Sequence, residues 1–344
     1  MPFFRHVFAL LIITICYSGI IDYAKPKLSD YKFFIEPLKN QNPQLNVIPY
    51  QISTSLFTDY AKKLRFLVIP EGKKMTYVNS EKFDFPIGTT LIKTFYYPQD
   101  FKNPYKNWNI IETRLLINTE EGWLGFPYIW NKEQTDAFLE IAGGRVDVSW
   151  IDEIGEMKNI NYLVPNFNMC KGCHVIDNKF SPIGPKPRLL NCDFQSNEIK
   201  SYHQLENFIK LNIVQHLPEI SIISKTANWE DEYYTLNDRA RAYLDVNCGH
   251  CHNAKGPAMT SGLFLDYNEK DLRKIGVYKT PIAAGRGSGN LDYNIVPGKS
   301  DKSILFYRIN SDDPGVMMPE LGRKLIHGEG VNLIKEWIDK MSVE

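Results

Sequence analysis

The hydrophobic positions keep a period of two through the first half of the chain, from about residue 47 to 165, with turn residues at short intervals. Residues 82–85 alternate, setting Phe83 and Phe85 on one face, and Pro86, Ile87 and Gly88 interrupt them before a long apolar and β-branched run over residues 89–97. Residues 111–117 and 122–130 read as two strands joined by a hairpin at Asn118, Thr119, Glu120 and Glu121. Further on, Val146, Val148 and Trp150 face away from Arg145, Asp147 and Ser149. After a turn over residues 152–155, Ile160, Tyr162 and Val164 repeat the alternation. One short helix is expected at residues 133–139, and the remainder predicts an antiparallel β domain over residues 46–169.

Beyond Pro165 the period lengthens. Leu205, Phe208, Ile209, Ile213 and Leu217 recur at helical spacing. Thr235 and Asp238 form a capping-box-like start for a helix that carries Leu236, Ala240, Tyr243 and Leu244 and runs into Cys248. Residues 328–341 predict a second amphipathic helix with Val331, Ile334, Trp337, Ile338 and Met341 inward. The expected fold class is therefore α+β, with a β domain first and a mainly α domain last.

Composition bears on compartment and partners. Arg5, an apolar run over residues 7–16, then Ser18 and Gly19 have the layout of a signal peptide over residues 1–21, and the run is shorter than the about 20 apolar residues of a membrane span. Export to the periplasm or cell envelope is expected, with lipidation of Cys16 or an uncleaved N-terminal anchor as membrane-tethered alternatives. The 344 residues are 43% hydrophobic and 13% aromatic, which excludes disorder as a class. Forty Lys and Arg balance forty Asp and Glu, so no bulk field recruits nucleic acid. No pair of carboxylates stands out as acid and base for hydrolysis.

Four of the six cysteines fall in two identical frames, Cys170, Cys173, His174 and Cys248, Cys251, His252. A haem joined by thioethers needs two thiols at the spacing of its vinyl groups and an imidazole next to them for the iron, and Cys-x-x-Cys-His supplies all three. With 6 Cys and 7 His in the chain, composition alone yields one such match with a probability of roughly 2 in 1000. A four-cysteine zinc site leaves the repeated histidine unexplained, a disulfide inside either frame closes a very tight loop, and a thioredoxin-like pair lacks its βαβ setting. Two covalent c-type haems are expected, haem 1 with His174 as proximal ligand and haem 2 with His252. Cys192 is left as a buried thiol.

The sixth ligand separates electron transfer from small-molecule chemistry. For haem 2 the candidate is Met318, with Met317 as its rival and Met259 and His327 as weaker options. For haem 1, His203 and His216 are within reach and Met169 is too close to turn back, so bis-His, His/Met and open coordination all stand. Arg286 and Arg323 are candidates for the propionates. Gly285, Gly287 and Gly289 read as a flexible loop rather than a dinucleotide site.

The segments YLDVNCGHCHNAKGPAMTSGL, IVPGKSDKSILFYRI and MMPELGR, with the terminal helix, resemble the single-haem domain of soluble cytochromes c. That resemblance implies a cytochrome c-like domain over residues 226–344, preceded by a haem 1 attachment segment and helix over residues 170–225. Together with STSLFTDYAKKLRF, FPIGTTLIKTFYYPQDF, IETRLLI, AGGRVDVSWID, CKGCH and SPIGPKPRLLN, they resemble an exported bacterial family with two such motifs, over roughly residues 46–342. The resemblance implies haem binding and electron transfer to a redox partner protein. The alternative is a haem oxidoreductase in which an open haem 1 acts on a small molecule and haem 2 relays electrons.

Overall fold

The computed structural model describes residues 23–196 and 201–342; the signal-like segment 1–21 lies outside them. Ten strands occupy the first half: β1 Ile48–Pro49, β2 Lys62–Val68, β3 Met75–Asn79, β4 Lys82–Asp84, β5 Thr90–Pro98, β6 Trp108–Thr119, β7 Gly122–Trp130, β8 Ala137–Leu139, β9 Gly144–Ile151 and β10 Met157–Val164. The helices are α1 Phe167–Lys171, α2 Pro187–Leu190, α3 Gln204–Lys210, α4 Leu236–Leu244, α5 Leu272–Ile275, α6 Ile304–Ile309 and α7 Gly328–Asp339. The chain divides into two units that interleave in sequence.

The first unit comprises the described residues up to Pro49, Lys62–Lys74 and Phe85–Phe167. Its frame is a six-stranded antiparallel sheet in the order β1-β2-β5-β6-β7-β8. All but one residue of β5 are buried, which suits its central place and its unbroken apolar run. Between the sheet's residues runs a dry polar chain: Thr94 donates to Gln41 at 2.7 Å, shares a 2.9 Å bond with Thr113, and Thr113 accepts from Trp130 Nε1 at 3.0 Å. β9 and β10 form a separate hairpin with Ile160 opposite Val148 and Tyr162 opposite Val146. Tyr162 donates to the buried carboxylate of Glu112 at 2.7 Å, which also takes Arg114 at 2.8 Å, so no charge is buried alone.

The second unit gathers Tyr50–Ala61, Met75–Asp84 and the chain from Asn168 onward. The β3–β4 hairpin takes Val214–Gln215 as a parallel partner of β3. Its core joins Trp229, Tyr243 and Leu244 of the α4 region to Ile295, Ile334, Trp337 and Ile338. Thr235 Oγ1 accepts from Asp238 N at 3.1 Å and caps α4 as its sequence requires.

The structure corrects the expected fold class. Strand occupies 27% of the described residues and helix 22%, and the C-terminal region is not a mainly α cytochrome c-like domain. Its longest helix, α7, has 12 residues, and α5 and α6 have 4 and 6. Part of the cause is local: short helical turns end at Gly262, Gly276 and Gly289, each at positive φ. The helical spacing of residues 201–217 yields only α3, because Asn212 (φ 56°) reverses the chain and Val214–Gln215 joins a sheet. Residues 133–139 form no helix; Ala137–Leu139 adds to the sheet beside β7. Among the described residues, no helix is long and apolar enough to cross a membrane.

Candidate functional site

The two Cys-x-x-Cys-His segments lie in the second unit and share one backbone conformation. In the first, the carbonyl of Cys170 accepts from Cys173 N at 3.2 Å and His174 N at 2.9 Å; in the second, that of Cys248 accepts from Cys251 N at 3.0 Å and His252 N at 2.9 Å. Each pentapeptide is thereby curled into one helical turn, which brings its third and fourth followers back over the first cysteine. The lead-in differs. α1 delivers Cys170, whereas α4 widens into a π-helical turn at Asp245–Gly249 that carries Cys248. None of the five described cysteines is in a disulfide.

The histidines of both motifs, His174 and His252, are oriented by neighbours that sequence reasoning missed. Val175–Ile176 and Lys179–Phe180 form a minimal hairpin around Asp177 and Asn178, both at positive φ, and it returns Ser181 and Phe180 to His174. His174 Nδ1 lies 3.2 Å from the Ser181 carbonyl and its ring stacks on Phe180 at 5.6 Å. A proton held on Nδ1 by that carbonyl puts the lone pair on Nε2, the form an iron ligand needs. The Asp-Asn pair between two short apolar runs was the available signal. For His252, Nδ1 is 3.4 Å from Ser261 Oγ and the ring hydrogen-bonds the Leu263 backbone. Burial lowers the His252 imidazole to about 4, so it is neutral at physiological pH.

Three thiols are held in the protonated form. Burial pushes Cys248 up to about 12 and Cys192 up to about 11, the latter beside Gln204 Nε2 at 3.2 Å. Cys251 is also raised, by its contact with the Cys173 thiol first and by burial second. That contact joins the two motifs: Cys173, Cys251 and His250 hold their ligand atoms within 4.8 Å of one another. His250, an intervening residue of the second motif, was not singled out from sequence. Its Nδ1 is buried with no hydrogen-bond partner.

The other predicted residues fall in varied places. Met317 is buried and Met318 half-buried, in a loop whose backbone is tied down at Met318 N to the Arg308 carbonyl, 3.1 Å. Arg323 does not stand out as a propionate partner. Its guanidinium reaches the carbonyls of Met318 (2.8 Å), Ser311 (2.9 Å) and Leu325 (3.1 Å), and so clamps the methionine loop. Arg286 pairs with Asp313 at 2.7 Å, and Gly287 sits against the Arg308 side chain, which gives the glycine run a structural task. His327 is enclosed by aromatic rings, stacked on Phe57 at 4.1 Å and bonded through Nδ1 to Tyr243 Oη at 3.0 Å. Met259 is about half exposed, His216 is exposed at positive φ, and His203 Nε2 lies 3.2 Å from Asn191 Oδ1.

These residues fit covalent haem. Each motif offers two thiols outside any disulfide and a histidine whose Nδ1 lies beside a neighbouring oxygen. Cys170, Cys173 and His174 would hold one group, and Cys248, Cys251 and His252 the other. No family model matches the chain, and no curated protein or solved structure is significantly similar to it.

Proposed function

We propose that this chain is an exported di-haem c-type cytochrome that passes electrons to and from a redox partner protein. The observation that carries the reading is the duplicated Cys-x-x-Cys-His turn, in which the same backbone bonds recur and each proximal histidine is oriented by a neighbouring oxygen. A bound c-type haem supplies reversible one-electron chemistry at iron. The protein's part is to attach, orient and bury: four cysteines for thioethers, His174 and His252 on the iron, and Met318 as the sixth ligand of haem 2. Export agrees with this chemistry, because thioethers form outside the cytoplasm. The balance of 40 basic and 40 acidic side chains leaves partner recognition to a local patch rather than to net charge.

The test is the pyridine haemochrome spectrum and intact mass of the matured protein. Two covalent haems per chain are expected, and a colourless or zinc-loaded protein overturns the reading. Replacing Met318 with Ala should abolish the sulfur-to-iron charge-transfer band of the oxidised protein. Persistence of that band removes Met318 as the ligand and points to Met317.

A further inference from the structure

The two motifs meet at one particular pair of atoms. Cys173 Sγ, Cys251 Sγ and a ring nitrogen of His250 lie within 4.8 Å of one another, and Cys251 Sγ is 3.9 Å from the Gly172 carbonyl oxygen. The approach is braced from outside. Asp177 N donates to the Lys255 carbonyl at 3.1 Å, and the two side chains pair at 3.2 Å, so the hairpin after the first motif is tied to the loop after the second. On another side Leu321 rests on Gly172, where an added Cβ would lie 2.6 Å from its Cδ1. It is the second cysteine of each frame that takes part. The first cysteine of the second frame, Cys248, belongs to the hydrophobic core.

We infer that Cys173 and Cys251 hold the two haems as a single electronically coupled pair, thioether-bearing edges facing, with the His250 imidazole beside the contact. The inference rests on the two-haem reading above. Each thioether sulfur is bonded to a substituent carbon of its own macrocycle, so the gap between the sulfurs limits the separation of the two edges, and a gap of this size admits no intervening layer of protein. His250 fits the position: its Nδ1 is buried with no hydrogen-bond partner, and one of its ring nitrogens lies within 4.8 Å of both sulfurs. At so short a separation the charge state of one iron is felt by the other, and the two chromophores share their excitation. The same three side chains are also a donor set for a soft divalent ion, which makes zinc the competing occupant of a chain without haem.

The experiment compares the holoprotein with two one-haem variants, Cys170→Ala/Cys173→Ala and Cys248→Ala/Cys251→Ala, by Soret circular dichroism and by electron paramagnetic resonance of the oxidised state. The holoprotein should give a bisignate Soret couplet and ferric signals broadened by spin–spin interaction. Both features should vanish in each variant. A holoprotein spectrum equal to the sum of the two variants overturns the coupled pair, while a stoichiometry of two haems leaves the cytochrome reading intact. A stoichiometry of zero, or zinc at the cluster, overturns both. Should the variants fail to fold, half-reduction of the holoprotein decides: the line width of the haem left ferric narrows in a coupled pair and is unchanged in an uncoupled one.

Discussion

Arg323 shows how one side chain can order a loop through its backbone alone. It is 6% exposed, and its donors reach backbone carbonyls of Met318, Ser311 and Leu325. Replacing it with Met should cost about 3 kcal/mol in a denaturant titration, because buried carbonyls lose charge-assisted partners. Arg323→Lys should not restore the loss, since an ammonium cannot span those acceptors as the planar fork does. Glu81 makes a different prediction. Burial alone would raise its carboxyl, but the hydrogen bond to Arg188 and the charges of Lys186 and Arg188 outweigh that and hold it at about 2. A folded value below the unfolded one stabilises the protein above about pH 4.5 and is lost as pH falls toward 2. Glu81→Gln should therefore flatten the drop in unfolding free energy between about pH 4.5 and 2 by about one group's share; an unchanged slope assigns the acid lability elsewhere. The two cysteine–histidine frames were legible at this scale because they are defined by spacing along the chain. The roles of Arg323 and His327 were not, since their partners are carbonyls and rings far away in sequence.

At the scale of elements, local rules held where a segment satisfied its own polar groups and failed where a neighbour offered better ones. The Thr235 cap, the hairpin between β6 and β7 and the alternation of β9 and β10 all follow from adjacent residues. Residues 211–217 kept helical spacing yet left the helix, because their backbone pairs with β3. The contact between α4 and α7 depends on Gly330, where a Cβ would overlap the Tyr243 ring and hydroxyl. Two effects oppose each other in Gly330→Ala: helix propensity favours Ala by about 1 kcal/mol, and overpacking costs about 1–3 kcal/mol. Tyr243 is also bonded to His327, so it cannot simply swing aside. A net loss of thermal stability is expected, and a raised melting temperature would refute this account of the contact.

At the scale of the whole molecule, each unit is assembled from separated stretches. The second unit owns Tyr50–Ala61 and Met75–Asp84. Asp59 accepts from Lys324 N and Leu325 N at 2.7 and 2.8 Å, Phe57 N donates to Asn247 at 2.9 Å, and Arg188, fully buried, shares its charge between Glu81 and Asp245. A fragment of residues 168–344 lacks Glu81 and Asp59, so it should express without a cooperative thermal transition by circular dichroism. A sharp two-state melt of that fragment would show that the inserted stretches are dispensable.

The sequence by itself determined β5, the β6–β7 hairpin and the alternation of β9 and β10, the starts of α4 and α7 and both cysteine frames, because each depends on residues a few positions apart. Tertiary structure decided the rest: the β-dominated fold class, the truncation of the helix after Lys210, the enclosure of His327 and the meeting of Cys173, His250 and Cys251. Those features are set by pairings between distant segments, in which backbone carbonyls, sheet edges and ring faces compete for the same partners, and local spacing carries no record of which partner wins.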